Sequence, residues 1–209
     1  MESSDRQQHW ENIYQTKLLN EVSWFQPNPV TSLDFIKELD IPASAKIIDI
    51  GGGDSFLADY LLKMGYEDIS LLDISETAIE RAKVRLGERA DKVTWITSDI
   101  TNFKPTEQYD CWHDRAAFHF LTTEKDIAKY IEIVQQSITP DGKVIIGTFS
   151  ESGPKKCSGI EIQQYSEESL THRMEKYFEK IKCIYVDHKT PFDTLQNFIF
   201  CSFKRKSTL

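Results

Sequence analysis

The sequence predicts an α/β fold of three layers: a seven-stranded, mostly parallel sheet between two layers of helices, closed by an antiparallel hairpin. Three observations lead there. Between Ile47 and Phe149, short apolar runs rich in β-branched residues alternate with stretches of helical periodicity, the pattern of a parallel sheet with crossover helices. The first run opens directly into Gly51-Gly52-Gly53 and then a helix, so the chain turns tightly at a strand end and leaves free amides for a polar ligand. The last two runs, Ile181 to Lys189 and Gln196 to Lys204, are joined by about six residues. That link is too short for a parallel crossover, so the pair must be antiparallel.

The elements follow in order. Residues 1–209 are expected to form one domain, with 1–40 as a lid or cap and 41–209 as its core. Trp10 and Tyr14 read as either a lid over a site or a helix packed on the domain edge, with the edge reading preferred. Trp24 lies in the loop-like stretch Ser23 to Pro29 and reads as a lid over a site. Asn28-Pro29 opens a helix to Leu39, with Leu33, Ile36 and Leu39 inward, and Ile41-Pro42 ends it. Ile47, Ile48 and Ile50 make a strand covered on both faces. Phe56, Leu57, Tyr60, Leu61 and Met64 recur at helical spacing, and Gly65 stops that helix. The second strand, Ile69 to Leu72, finishes at Asp73. Ser75 caps a helix to Leu86. Val93 to Thr97 is the third strand and Tyr109 to His113 the fourth. Thr123 with Asp126 resembles a capping box ahead of a helix whose inner face is Ile127, Tyr130, Ile131, Val134 and Ile138. Pro140-Asp141-Gly142 reads as a turn before the fifth strand, Lys143 to Phe149. A helix from Ser166 to Phe178 precedes the hairpin.

Composition excludes several classes. A net charge of −8 argues against a general nucleic-acid or anionic-membrane binder. No apolar run approaches the roughly 20 residues of a membrane span, and Met1 to Gln8 lacks a signal peptide's apolar core. A cytoplasmic monomer is the expectation. The four cysteines, Cys111, Cys157, Cys183 and Cys201, show no metal-ligand spacing, so no metal is expected. Cys111, Cys183 and Cys201 sit in apolar runs and read as reduced core residues.

Ligands of an open α/β sheet bind beyond the carboxyl ends of its strands. Those ends offer Gly51 to Asp54, then Asp73, Asp99, the run His113-Asp114-Arg115, and the loop Ser150 to Gly159. Asp73, twenty residues after Gly53, suits the two hydroxyls of a ribose. Ile74 suits one face of an adenine. Asp99 suits its amino group, with the Ile100 amide donating to the ring. Together these describe an adenosine-shaped site.

The pattern Asp49-x-Gly51-x-Gly53, with an acid ending the second strand and another after the third, resembles the class I S-adenosylmethionine-dependent methyltransferases. Their fold is Rossmann-like with an antiparallel terminal hairpin, which separates it from NAD-binding domains. The resemblance covers Pro29 to the C-terminus; Ser55 stands where the family has a third glycine. It implies S-adenosylmethionine as cofactor and S-adenosylhomocysteine as product. Gly51 and Gly53 would lie against the methionine part, with Asp49, Gly52, Trp24 and His113 also among the residues bordering the cofactor. The Asp114-Arg115 pair is more loosely similar to the thiopurine methyltransferase group, where an arginine at this place faces the acceptor. No Asn/Asp-Pro-Pro-Tyr follows the fourth strand, unlike the amide and adenine N6 methylases.

Methyl transfer from a sulfonium is an in-line displacement with a good leaving group, so positioning and desolvation can supply much of the catalysis. His113 and Asp114 are the base candidates if the acceptor carries a proton, and Arg115 suits an anionic acceptor. His119, Cys157 and Tyr165 are further candidates for the acceptor pocket. A small-molecule acceptor is the leading expectation and a protein lysine the alternative. An NAD-dependent oxidoreductase and a non-catalytic cofactor-binding module are the remaining rivals.

Overall fold

A computed structural model describes residues 3–206. Its first strand, β1 (Lys46–Ile50), lies inside the sheet, flanked in parallel by β2 (Asp68–Asp73) and β4 (Tyr109–Arg115). Ile47, Ile48 and Ile50 are buried on both faces, as their run without polar alternation requires. With β3 (Val93–Thr97), β5 (Ile138–Phe149), β8 (Phe178–Lys189) and β9 (Leu195–Arg205), the sheet has the order β3-β2-β1-β4-β5-β9-β8. All pairings are parallel except those of β9, which runs against both β5 and β8. The direction of winding reverses between β1 and β4, so a crevice opens where their carboxyl ends part. A separate two-stranded ribbon, β6 (Lys156–Cys157) and β7 (Ile160–Glu161), lies in the loop after β5.

Each face of the sheet closes its own core. One side packs α2 (Val30–Glu38), α3 (Leu57–Lys63) and α4 (Glu76–Leu86) through residues such as Ile36, Leu61 and Ile79. The other packs α5 (Glu124–Ser137) and α6 (Glu167–Met174) through Ile127, Tyr130, Val134 and Leu170. Ser75 and Thr123 cap α4 and α5 by accepting from the Ala78 and Asp126 amides. The first helix, α1 (Ser3–Thr16), buries no residue in either core.

Several expectations are corrected. The turn Pro140-Asp141-Gly142 does not precede β5 but bulges within it. Tyr109 pairs with Ile138 and Cys111 with Lys143, and Asp141 takes φ +66° in the excursion between. The chain turns extended at Phe178, four residues past α6, because Phe178 pairs with Arg205. Cys183 and Cys201 are a disulfide rather than reduced core residues: the antiparallel register sets them directly opposite, with Cα atoms 4.1 Å apart. Cys111 and Cys157 are buried free thiols. Among the described residues, no helix is long and apolar enough to cross a membrane. No group of three or more His, Cys, Asp or Glu among them is placed to hold a metal ion.

Candidate active site

The crevice floor begins where β1 runs into the glycine turn. Gly51 takes φ +64° and Gly53 φ +41°, conformations that side-chain-bearing residues resist. A Cβ on Gly51 would lie 2.8 Å from that of Ala117; one on Gly52 would lie 2.5 Å from Asp49 Oδ2; one on Gly53 would lie 2.7 Å from Asp73 Oδ2. The loop therefore rests directly against two carboxylates. Gly51 and Gly52 border the cavity, whereas Gly53 is covered by Asp73 and Tyr14.

Asp73 closes β2 at the cavity wall. Its Oδ1 accepts from the Ser75 amide at 2.8 Å. Burial pushes its pKa up to about 7, with the charges of Asp49 and Glu11 adding to the rise. Ile74, Ser98, Asp99 and Ile100 continue the wall. Asp99 is fully engaged. One oxygen accepts from the amide and hydroxyl of Thr101 at 2.8 Å each, the other from Ser3 Oγ at 2.8 Å and Arg6 Nε at 3.0 Å. Burial raises its pKa, but these donors and the Arg6 charge hold it below the usual carboxylate range.

Arg6, Trp10 and Tyr14 recur every four residues on one face of α1, and all three roof the cavity. This corrects the edge-packing expectation for Trp10 and Tyr14. Arg6 Nη1 also reaches Asp126 at 3.2 Å. Glu11 accepts from the Thr77 amide at the start of α4, and Arg81 donates to the Tyr14 and Lys17 carbonyls at 2.9 and 2.8 Å. The roof is thus fastened at both ends. Trp24 joins it, with ring centroids 5.6 Å from Trp10 and 6.3 Å from Tyr14. The Trp24 carbonyl accepts from Arg115 at 3.0 Å, and His188 holds the Ser23 carbonyl at 2.7 Å.

The far end of the cavity is apolar except for Arg115. Phe120, Phe149, Phe198, Ala117 and Cys157 surround it. The guanidinium lies 5.1 Å from the Phe198 ring, and its Nη2 is buried with no hydrogen-bond partner. Burial lowers the Arg115 pKa to about 10 and raises that of Cys157 to about 11, so Arg115 is charged and Cys157 protonated at neutral pH.

Four expected site residues offer no free group to the cavity, and three of them lie outside it. His113 borders the cavity but offers no free nitrogen. Nδ1 lies 2.7 Å from Asp49 Oδ1 and Nε2 lies 2.8 Å from Ser32 Oγ. Asp114 points to the opposite face of β4. It accepts from the Ala117 and Phe118 amides at 2.9 and 3.1 Å and from Tyr130 Oη at 2.7 Å, and burial raises its pKa to about 6. His119 stacks on Phe149 at 4.6 Å, and its Nδ1 accepts from the Phe149 amide. Burial and the Arg115 charge lower its pKa to about 3, so it is neutral. Tyr165 stacks on Phe118 at 5.2 Å inside the core, where burial raises its pKa. None of the last three lines the cavity.

A family model described as a methyltransferase domain matches residues 47–142. The eEF1A lysine and N-terminal methyltransferase of Bos taurus is 24% identical over 138 residues, covering 66% of this chain and 19% of that protein. The chain therefore spans about a fifth of the length of that relative. The malonyl-(acyl-carrier protein) O-methyltransferase 1 of Ilyobacter polytropus is 27% identical over 104 residues, covering 49% of this chain and 37% of that protein. Among solved structures, the 1,6-didemethyltoxoflavin-N1-methyltransferase of Burkholderia thailandensis, with 1,6-didemethyltoxoflavin and S-adenosylhomocysteine bound, superposes with a TM-score of 0.72. It is 15% identical, with 98% of this chain and 87% of that one covered. At that identity the likeness carries the fold.

Proposed function

We propose, from a chain that belongs by domain and fold to the class I S-adenosylmethionine-dependent methyltransferases, that it methylates a small-molecule acceptor bound at the Arg115 end of the cleft. One observation carries the reading. A single cavity joins the wall of Asp73, Ile74, Asp99 and Ile100 to an aromatic chamber whose one charged group, Arg115, has an unpartnered buried nitrogen.

The residues present fit the cofactor. Gly51 and Gly52 pack too closely on Ala117 and Asp49 to carry a Cβ, so bare backbone borders the cleft there, and Asp49 Oδ2 is buried without a partner. Asp73 would hold the ribose, Ile74 and Ile100 the adenine faces, and Asp49 the amino end of the methionine part. Arg6 adds to the adenine end through Asp99. When bound, S-adenosylmethionine supplies a methyl group on a sulfonium, ready for displacement.

The chain's own part is positioning and exclusion of water. Trp10, Tyr14 and Trp24 roof the site, and Phe120, Phe149 and Phe198 wall the acceptor end. His113, Asp114 and His119 are not proposed as bases, because each is bonded or turned away. Arg115 would bind an anionic acceptor through Nη2.

Protein lysine methylation is the second reading, favoured by the name of the Bos taurus relative. A buried guanidinium beside the acceptor disfavours an approaching lysine ammonium, so it ranks below. A transfer assay with a radioactive methyl donor over thiols, carboxylates, amines and phenols, with lysate proteins in parallel, tests the choice. Label in a small acid supports the first reading. Label confined to protein bands overturns it.

A further inference from the structure

Asp49, His113 and Ser32 form a buried chain that joins β1, β4 and α2. Asp49 and His113 are direct neighbours in the β1–β4 register, so their side chains leave the same face of the sheet. A carboxylate only accepts, so His113 Nδ1 carries the proton in its 2.7 Å bond to Asp49 Oδ1. The other ring nitrogen lies 2.8 Å from Ser32 Oγ on the helix that covers it. None of the three residues is more than 2% exposed. The imidazole can neither rotate nor reach a substrate without breaking both contacts.

The consequence falls on Asp49. With Oδ1 held, Oδ2 is fixed in direction, buried and without any donor. It lies under Gly52, where a Cβ would come within 2.5 Å, and both residues line the arm of the cleft that also contains Gly51 and Trp24. A buried carboxylate oxygen left unpaired is costly, and its natural complement is a cationic N–H donor.

We infer that His113 and Ser32 are positioning residues that aim Asp49 Oδ2 at the ammonium of the cofactor's amino-acid end. The inference rests on the cofactor reading above and extends it to how the two ends of the cofactor are told apart. Asp73 and the adenine wall serve the nucleoside. The Ser32–His113–Asp49 chain serves only the amino-acid end.

The two ends separate experimentally, because 5′-methylthioadenosine keeps the nucleoside and thioether of S-adenosylhomocysteine but lacks the amino acid. Calorimetric titration of wild type, His113→Leu and His113→Asn with both compounds tests the assignment. His113→Leu should weaken S-adenosylhomocysteine by about tenfold, the worth of one charge-assisted bond, and leave 5′-methylthioadenosine within about twofold. His113→Asn, whose amide restores a donor toward Asp49, should recover most of the loss. Equal losses on both compounds in His113→Leu, or no loss on S-adenosylhomocysteine, would overturn the assignment. Should His113→Leu not fold, Ser32→Ala replaces it, with a loss of about threefold expected on S-adenosylhomocysteine alone; no selective loss there overturns the inference equally. Wild-type protein that binds neither compound would instead overturn the cofactor reading itself.

Discussion

Arg6 Nη2 sits 2.9 Å from Asp99 Oδ2, tying the first helix to the end of β3 across 93 residues of chain. The arginine side chain is only 11% exposed, so this pair is better shielded than a surface ion pair. It fastens α1 over the Asp99 end of the cleft, the proposed adenine end. Replacing Arg6 with Ala leaves Asp99 with one donor group fewer and frees one end of the roof. The expected result is chymotryptic cleavage near Trp10 and Tyr14 at a faster rate, and weaker binding of S-adenosylhomocysteine. Stability should fall by about 1–2 kcal/mol at neutral pH. Asp99 has a depressed folded pKa, so its contribution is present above the unfolded value near ~3.9 and is lost as pH falls through the folded one. Denaturation curves for wild type and variant should therefore converge in acid.

Asp73 has the opposite sign. Its pKa is raised to about 7, first by burial. The protonated form is favoured in the fold, so its contribution is fully present below ~3.9 and lost as pH rises through about 7. Asp73→Asn, which keeps an acceptor for the Ser75 amide, should be more stable than wild type at pH 8 and close to it in acid. Ribose hydroxyls bind the ionised carboxylate better, so wild-type affinity for S-adenosylhomocysteine should rise with pH across neutrality. That rise should be flat in Asp73→Asn, as calorimetry at several pH values would read.

Gly51→Val meets two obstacles. The residue has φ +64°, and its Cβ would fall 2.8 Å from that of Ala117. Strain of about 1–3 kcal/mol is expected in melting experiments. Loss of cofactor binding should exceed what that destabilisation explains if the displaced loop is, as proposed, the floor of the cofactor site.

Asp114→Ala separates a structural acid from a catalytic one. It strands the Phe118 amide and the Tyr130 hydroxyl in the core and the half-buried Ala117 amide. A stability loss of about 3 kcal/mol or more is expected. Asp114→Asn, which can still accept from the amides, should lose less and should keep the wild-type pH–rate profile. A base at this position would instead lose the acid-side limb, the fall in rate as pH drops through its pKa of about 6.

The alternation of strand and helix, the glycine turn and the acids at Asp73 and Asp99 were legible because each is a local signal. The terminal hairpin was legible from its short link alone. The run His113-Asp114-Arg115 was misjudged as one functional unit. Alternate residues of a strand face opposite sides, so Asp114 turns to the Tyr130 side while His113 and Arg115 turn to the cleft. That separation was available from the sequence once β4 was extended to Arg115. Arg6, Trp10 and Tyr14 also carried a signal, their four-residue spacing. What they face, however, depends on contacts with Asp99 and α4 that lie far along the chain. The Cys183–Cys201 pairing needed the hairpin register, not the apolar character of either strand.

If this cleft holds S-adenosylmethionine, calorimetric titration of the folded wild-type protein should show one-to-one binding of S-adenosylhomocysteine, lost in Gly51→Val, and no comparable heat from NAD. Preferential binding of NAD, or no binding of S-adenosylhomocysteine by folded wild-type protein, would contradict that assignment.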